Sequence, residues 1–146
     1  ALGRSNQFTE PLSRDEFGAI HSSAMAMQTA AMATGDPDLA YAGALVARLA
    51  NAGRIAVNNA RTMDALFKAF PALRIIIANS NYLDYVIGTD LKALEFSLVH
   101  EAMHFRFYYM ANGGFRDLTG NECLMDSRAR MATRTDYRAY NCPGWP

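Results

Sequence analysis

Hydrophobic and polar positions follow two rhythms along this chain, and the changes between them divide it into elements. Residues 1–12 carry Gly, Pro, Asn and Ser with no regular apolar spacing and predict an irregular arm. Ser13 followed by Glu16 forms a capping box before an Ala- and Met-rich stretch, which predicts a helix broken at "TGDPD", Thr34 to Asp38. A second helix is predicted from Pro37 to Asn51, ending at Gly53. "RIAV", Arg54 to Val57, reads as a short strand, and "TMDALFKAF", Thr62 to Phe70, as a helix stopped by Pro71. "LRIIIA", Leu73 to Ala78, is β-branched, bounded by Pro and Asn, and reads as a strand. A loop through "NSNYLDYVIGTD" then leads to a long helix, capped by Thr89 or Asp90 and closed by "NGG", Asn112 to Gly114. A last helix is predicted from near Thr119 through "DSRARMAT", before a tail, "NCPGWP", that cannot be helical throughout.

Composition narrows the setting without naming a function. At 146 residues the chain has room for one domain with a real core. Half its residues are hydrophobic and 19% are charged, with formal net charge zero, so nothing electrostatic points to nucleic acid or an anionic membrane. No apolar run approaches a membrane span. The chain opens on Ala1 with no secretory pattern, which suggests a processed or excised chain. The 2 cysteines, Cys123 and Cys142, are too few for a disulfide scaffold and lack zinc-ribbon spacing. A bridge between them would close a loop of about 18 residues, worth roughly 3 kcal/mol in the chain-entropy picture. It would also point to a secreted or periplasmic home.

Chemistry concentrates in "SLVHEAMHFRFYY", Ser97 to Tyr109, which places two of the chain's 3 histidines in an apolar helix. At 100° per residue, His100 and His104 project from one face, below the small Ala93 and Ser97. Lys92, Glu95 and Arg106 gather on another side, so the histidine face is not the solvent face. Two buried imidazoles converging at this spacing can share one metal ion, while Glu101 flanks the same face. Their pattern is His100-Glu101-Ala102-Met103-His104, the H-E-x-x-H zinc-peptidase signature. Two imidazoles supply half of a tetrahedral zinc site, a third ligand leaves one position for water, and the glutamate handles the water's proton. The competing reading is two core histidines bonded to backbone groups, with a chance Glu between them. For the third ligand, "TGNECLMD" offers Glu122 at the start of the next helix, with Asp126 four residues on and able to orient a ligand imidazole. Thr119 and Glu122 also fit a capping box, a purely structural role.

His100-Glu101-x-x-His104 followed by Asn121-Glu122-x-x-x-Asp126 resembles the gluzincin pattern of thermolysin-like metallopeptidases. The resemblance covers Leu73 to Ala132. It implies zinc ligands His100, His104 and Glu122, general base Glu101, and Asp126 behind a histidine. It further implies one Zn2+ per chain, a peptide or polypeptide substrate, and "LRIIIA" as a strand where an extended substrate pairs by strand addition. The fold class expected is α+β, a mostly helical zincin-like single domain over residues 1–146 with a small sheet. The chain is far shorter than thermolysin and closer to minimal gluzincins. Metzincins are disfavoured because no third histidine follows at their spacing, whereas an aspzincin site would use Asp117.

A transition-state oxyanion beside zinc calls for another donor. Tyr137, Tyr140, His21 and Arg134 are candidates, with Tyr137 first because the chain beyond the ligand helix can turn back over the cleft. Met25 to Met32 reads as adaptable core and "RARMATR", Arg128 to Arg134, as a solvated helix face. The functional expectation is a zinc metallopeptidase. The alternatives are a hydrolase of peptidoglycan peptide linkages, such as a secreted antibacterial effector, and a degenerate zincin that only binds a partner protein.

Overall fold

The structure, a computed structural model, describes residues 9–58, 65–110, 122–140 and 142. Two helices open it. In α1, Arg14–Thr34, the capping box forms as the sequence predicts: the Ser13 hydroxyl accepts from Glu16 N–H, and Glu16 Oε1 accepts from Ser13 N–H at 2.7 Å. In α2, Pro37–Asn51, Asp36 caps by accepting from the N–H groups of Asp38 and Leu39, and Pro37 fills the position that needs no donor. Gly53, at φ +71, turns the chain out of α2 in the left-handed region that favours glycine. Helices α1 and α2 approach closely at Gly43, where a Cβ would lie 2.9 Å from the carbonyl oxygen of Ala24.

A four-stranded sheet packs beside them, with strands β1 Thr9–Pro11, β2 Ile55–Asn58, β3 Phe67–Phe70 and β4 Ile75–Asn79 in the order β1-β2-β4-β3. Strands β2 and β4 are parallel, and the two outer pairs are antiparallel. Three expectations are corrected here. Residues 9–11, expected in an irregular arm, form β1, while residues 1–8 lie outside the described residues. The helix expected over 62–70 is strand β3 in its described part, because Phe67 and Ala69 alternate with outward Lys68 and pair with β4. The strand expected from Leu73 begins only at Ile75, since Pro71–Leu73 make a single 3-10 turn that Arg74 closes at φ 57.

The expected loop over 79–90 is also a helix, α3, Ser80–Thr89, started by the Asn79 side chain accepting from Asn81 and Tyr82 N–H. Leu83 is its buried residue, with Val86 and Ile87 partly buried against the core beside it. Then α4, Leu91–Met110, begins where Asp90 Oδ1 accepts from Ala93 N–H, one of the two caps expected. It runs through the middle of the molecule, in contact with α1, α2, α3 and β3, and with α5, Glu122–Thr133. Leu94, Leu98, Val99, Ala102, Met103 and Phe105 are all fully buried, so α4 has no wet face along this stretch. The "NGG" closure and the start of the last helix at Thr119 lie outside the described residues. The architecture is α+β, mostly helical with a small mixed sheet. Of the methionine-rich stretch, Met27 is core, but Met25 and Met32 are exposed.

Candidate metal centre

Helical spacing puts His100 and His104 one turn apart on α4, with ring centroids 5.2 Å apart. Across from them the first turn of α5 presents Glu122, and one turn further on Asp126, which is fully buried. Both imidazole Nε2 atoms meet the same carboxylate oxygen, Glu122 Oε1, at 2.9 Å from His100 and 2.7 Å from His104. Behind His100, Nδ1–H donates to Asp126 Oδ1 at 2.6 Å. The ring of His100 is thus fixed at both nitrogens. The Nδ1 of His104 is buried and has no hydrogen-bond partner among the described residues, so His104 is the less firmly oriented of the two.

The chain folds back to close the site. The backbone N–H groups of Ala139 and Tyr140 both donate to Asp126 Oδ2 at 2.9 Å. This holds the Tyr140 ring stacked on His100, 5.7 Å between centroids, with its hydroxyl donating to Glu122 Oε2 at 2.9 Å. A disulfide joins Cys142 to Cys123, the neighbour of Glu122. The bridge, left open by the sequence, is formed. Glu101 lies alongside, its Oε2 4.0 Å from His100 Nε2, and it accepts a hydrogen bond from the backbone N–H of Ala69 on β3. That N–H is available because Asn79 N–H donates to Leu66 O, which by the alternation of an antiparallel pair turns Phe67 and Ala69 toward the side of β3 that no described strand pairs with. A cavity of about 50 Å³ adjoins, lined by Phe67, Phe96, Ser97, His100, Glu101 and Tyr140 among others.

Burial and charge set the protonation of these groups. Burial opposes a charge on His100, but Asp126, Glu122 and Glu101 outweigh it and push its pKa up to about 10. Both nitrogens of its ring then carry protons, matching the two carboxylates that face them. Burial likewise pushes Glu101 up to about 7, against the pull of His100, His104 and the Ala69 N–H. For Glu122, burial alone would raise the pKa, yet hydrogen bonds from both imidazoles hold it well below the usual carboxylate range. Tyr140 is pushed up by burial and by its bond to Glu122.

The donor set fits a divalent cation. One ligand atom each from His100, His104 and Glu122 lies within 4.8 Å of the others, and the group could hold a metal ion. A tetrahedral zinc with bonds of about 2.0–2.1 Å sets its ligand atoms about 3.3 Å apart. Glu122, at 2.7–2.9 Å from the two nitrogens, would withdraw by a few tenths of an ångström to reach that spacing. It is half-buried on the first turn of a helix, where such a shift is available.

Other residues singled out in the sequence lie elsewhere. Tyr137, the leading donor candidate, spends its hydroxyl on Asp90 at 2.9 Å and packs edge-on against Phe96. It fastens the tail to the start of α4, and Tyr140 is the tyrosine that the structure places at the cluster. His21 stacks on Phe17 within α1. Arg134 stands at the far end of α5 from Glu122, about 18 Å away at 1.5 Å per residue. Asp117 lies outside the described residues. "LRIIIA" is not an edge, since β4 is paired on both sides and the edge strands among the described residues are β1 and β3.

Sequence reasoning missed two features. Asp38 accepts a bidentate bond from Arg128 (2.6 and 2.8 Å) and another from Arg106 Nη1 (2.7 Å), tying α4 and α5 to the start of α2. Arg128 was expected on a solvated face, but no local spacing could have linked it to an acid 90 residues away. The Ala69 N–H is invisible to sequence because it is backbone. Comparison with protein-family models, curated proteins and solved structures returns no match to this chain.

Proposed function

We propose that this chain is a gluzincin-type metallopeptidase that holds one zinc ion on His100, His104 and Glu122 and uses Glu101 as general base. The observation that carries the reading is the convergence of both Nε2 atoms and a Glu122 oxygen, within 4.8 Å, next to a buried second glutamate. When bound, zinc supplies a Lewis acid that lowers the pKa of water and polarises the scissile carbonyl. Glu101 takes the proton of the attacking water and returns it to the leaving amine. Its burial makes it a stronger base than an exposed glutamate, which suits proton transfer near neutrality. Asp126 holds the His100 ring by Nδ1, leaving Nε2 turned to the metal position. The Tyr140 hydroxyl donates to Glu122 Oε2 and so orients the third ligand. An extended peptide adds to the open edge of β3 at Phe67, with Ala69 reserved for Glu101.

The Cys123–Cys142 bridge favours an oxidising, extracytoplasmic setting for this activity. Among the described residues no helix is long and apolar enough to cross a membrane. A partner-binding module without catalysis has no use for a carboxylate buried at Glu101, which favours the enzyme. The test is hydrolysis of unfolded casein and of purified peptidoglycan, each with and without chelator. Chelator-sensitive cleavage of casein is expected, and cleavage of peptidoglycan alone assigns the same chemistry to cell-wall peptides. No cleavage of either by zinc-loaded protein overturns the reading.

A further inference from the structure

We infer that the tail segment carrying Ala139, Tyr140 and Cys142 is a positioning strap of the metal centre, locked by the Cys123–Cys142 bridge, so that full zinc affinity belongs to the bridged chain alone. The inference rests on the zinc reading above and adds to it a dependence on the disulfide. The strap reaches two of the three ligands, Glu122 directly and His100 both directly and through Asp126. Asp126 is fully buried, and its two oxygens are divided between His100 Nδ1–H on one side and the Ala139 and Tyr140 N–H groups on the other. Without the strap, Oδ2 would lose both donors inside the protein, and a buried carboxylate so stripped must rotate or draw in water. Either response loosens its hold on His100.

Tyr140 acts on the third ligand in the same way. Its hydroxyl occupies Glu122 Oε2, which leaves Oε1 to face the two imidazoles, and its ring covers His100. The bridge lands on Cys123, one residue from Glu122, so it ties the strap to the very turn that supplies the ligand. Tyr137, fastened to Asp90 and Phe96, anchors the tail only on the α4 side. A bridge serving stability alone would shift the unfolding midpoint and leave the affinity of the folded chain for zinc unchanged. That difference is measurable.

Zinc affinity is read by competition with a chromophoric chelator, at a temperature where circular dichroism shows each variant folded. The bridge is removed in the double variant Cys123→Ser/Cys142→Ser, because free thiols would themselves bind zinc. This chain is expected to bind zinc at least 10-fold more weakly than the native one, in the range seen for lost ligand-orienting partners. Tyr140→Phe should cost roughly three- to tenfold in the bridged chain and under about twofold in the unbridged one, a coupling that independent structural roles do not give. A measurement on the native chain stands even if the double variant does not fold. A water-soluble phosphine gives up two electrons and becomes phosphine oxide with the oxygen of one water, while the bridge takes up the two electrons and that water's two protons to become two thiols. Saturating zinc should slow this at least fivefold relative to chelated protein, because the strap must leave before the sulfurs are reached. Equal zinc affinity with and without the bridge, equal Tyr140→Phe costs in both chains, or equal reduction rates each overturn the strap. A native bridged chain that binds no zinc overturns the metal reading itself, a distinct result.

Discussion

The α1–α2 hairpin and the α4–α5 pair are both helix seams, yet they are built on opposite principles. In the hairpin, small residues let two backbones meet: Ala24, Ala31, Ala42 and Gly43 are buried, with Gln28 Nε2 donating to Gly43 O across the contact. In the second seam, His100, Glu101, His104 and Asp126 are buried instead. An apolar seam gains stability from each contact almost independently. A seam of ionisable groups must have every partner present, because one missing donor strands a charge away from water. Replacing such a network by packed hydrophobic residues is often neutral or stabilising. Stability alone is therefore a weak reason for this one, and that imbalance, more than any single distance, is why the proposed function is placed at α4–α5.

The sharpest break between the seams is catalytic. Glu101→Gln should lower turnover by about a thousandfold, since an amide cannot accept the water's proton. Zinc content and unfolding midpoint should hold or rise, because burial already penalises the Glu101 charge. Turnover near the native rate in this variant removes Glu101 from the mechanism. Next in size are the ligands. Glu122→Ala or His104→Ala should weaken zinc binding by about two orders of magnitude, from the loss of one donor in three. Asp117→Ala should stay within a few-fold of native. Metal lost from the Asp117 variant and kept in the Glu122 variant would give the third ligand to Asp117.

The hairpin should fail in the other currency. Gly43→Ala puts a Cβ 2.7 Å from Gln28 Cγ, which can swing aside, and 2.9 Å from the Ala24 carbonyl, which cannot. A cost of about 1–3 kcal/mol in stability is expected. Zinc affinity of the folded variant should match the native chain within twofold. Thermal unfolding together with the chelator competition checks both, and a parallel fall in zinc affinity would mean the seams are not separable.

How much of each seam is legible in sequence follows from the range of its contacts. Ser13 with Glu16, Asp36 with Pro37, and His100 with His104 act within one turn, so their spacing shows them. Glu122 and Asp126 share a face for the same reason, although only the fold brings them to the histidines. Strand β3 was unreadable because "FKAF" is too short to separate a period of two from a helical one, and its pairing with β4 decides it. Helix α3 carries Leu83, Val86 and Ile87 at helical spacing against the core, but the Asn, Ser, Asp and Gly among them read as a loop. Tyr137 and Tyr140 lie three residues apart in an irregular tail, where no periodicity says which one turns inward. Asp126 and the bridge decide that.

The smallest effect tests whether the charges of the second seam behave as paired protons awaiting a cation. With its pKa near 10, His100 is an imidazolium at neutral pH, held by Asp126 and Glu122. Zinc needs the lone pair on Nε2, so that proton must leave. Zinc uptake at pH 7.5 should therefore release about one proton from His100, seen as a dependence of binding heat on the ionisation enthalpy of the buffer. Affinity should rise about tenfold per pH unit from pH 7 to 8.5. Stability runs the opposite way in chelator. A histidine raised from 6.5 to about 10 on folding contributes fully below pH 6.5, and that contribution is lost as pH climbs through the folded value. The unfolding midpoint of the chelated chain should fall between pH 7 and 9 while that of the zinc-loaded chain holds. If no proton is released and the chelated midpoint stays flat over that range, His100 is neutral, and Asp126 and Glu122 do not hold it in the way described.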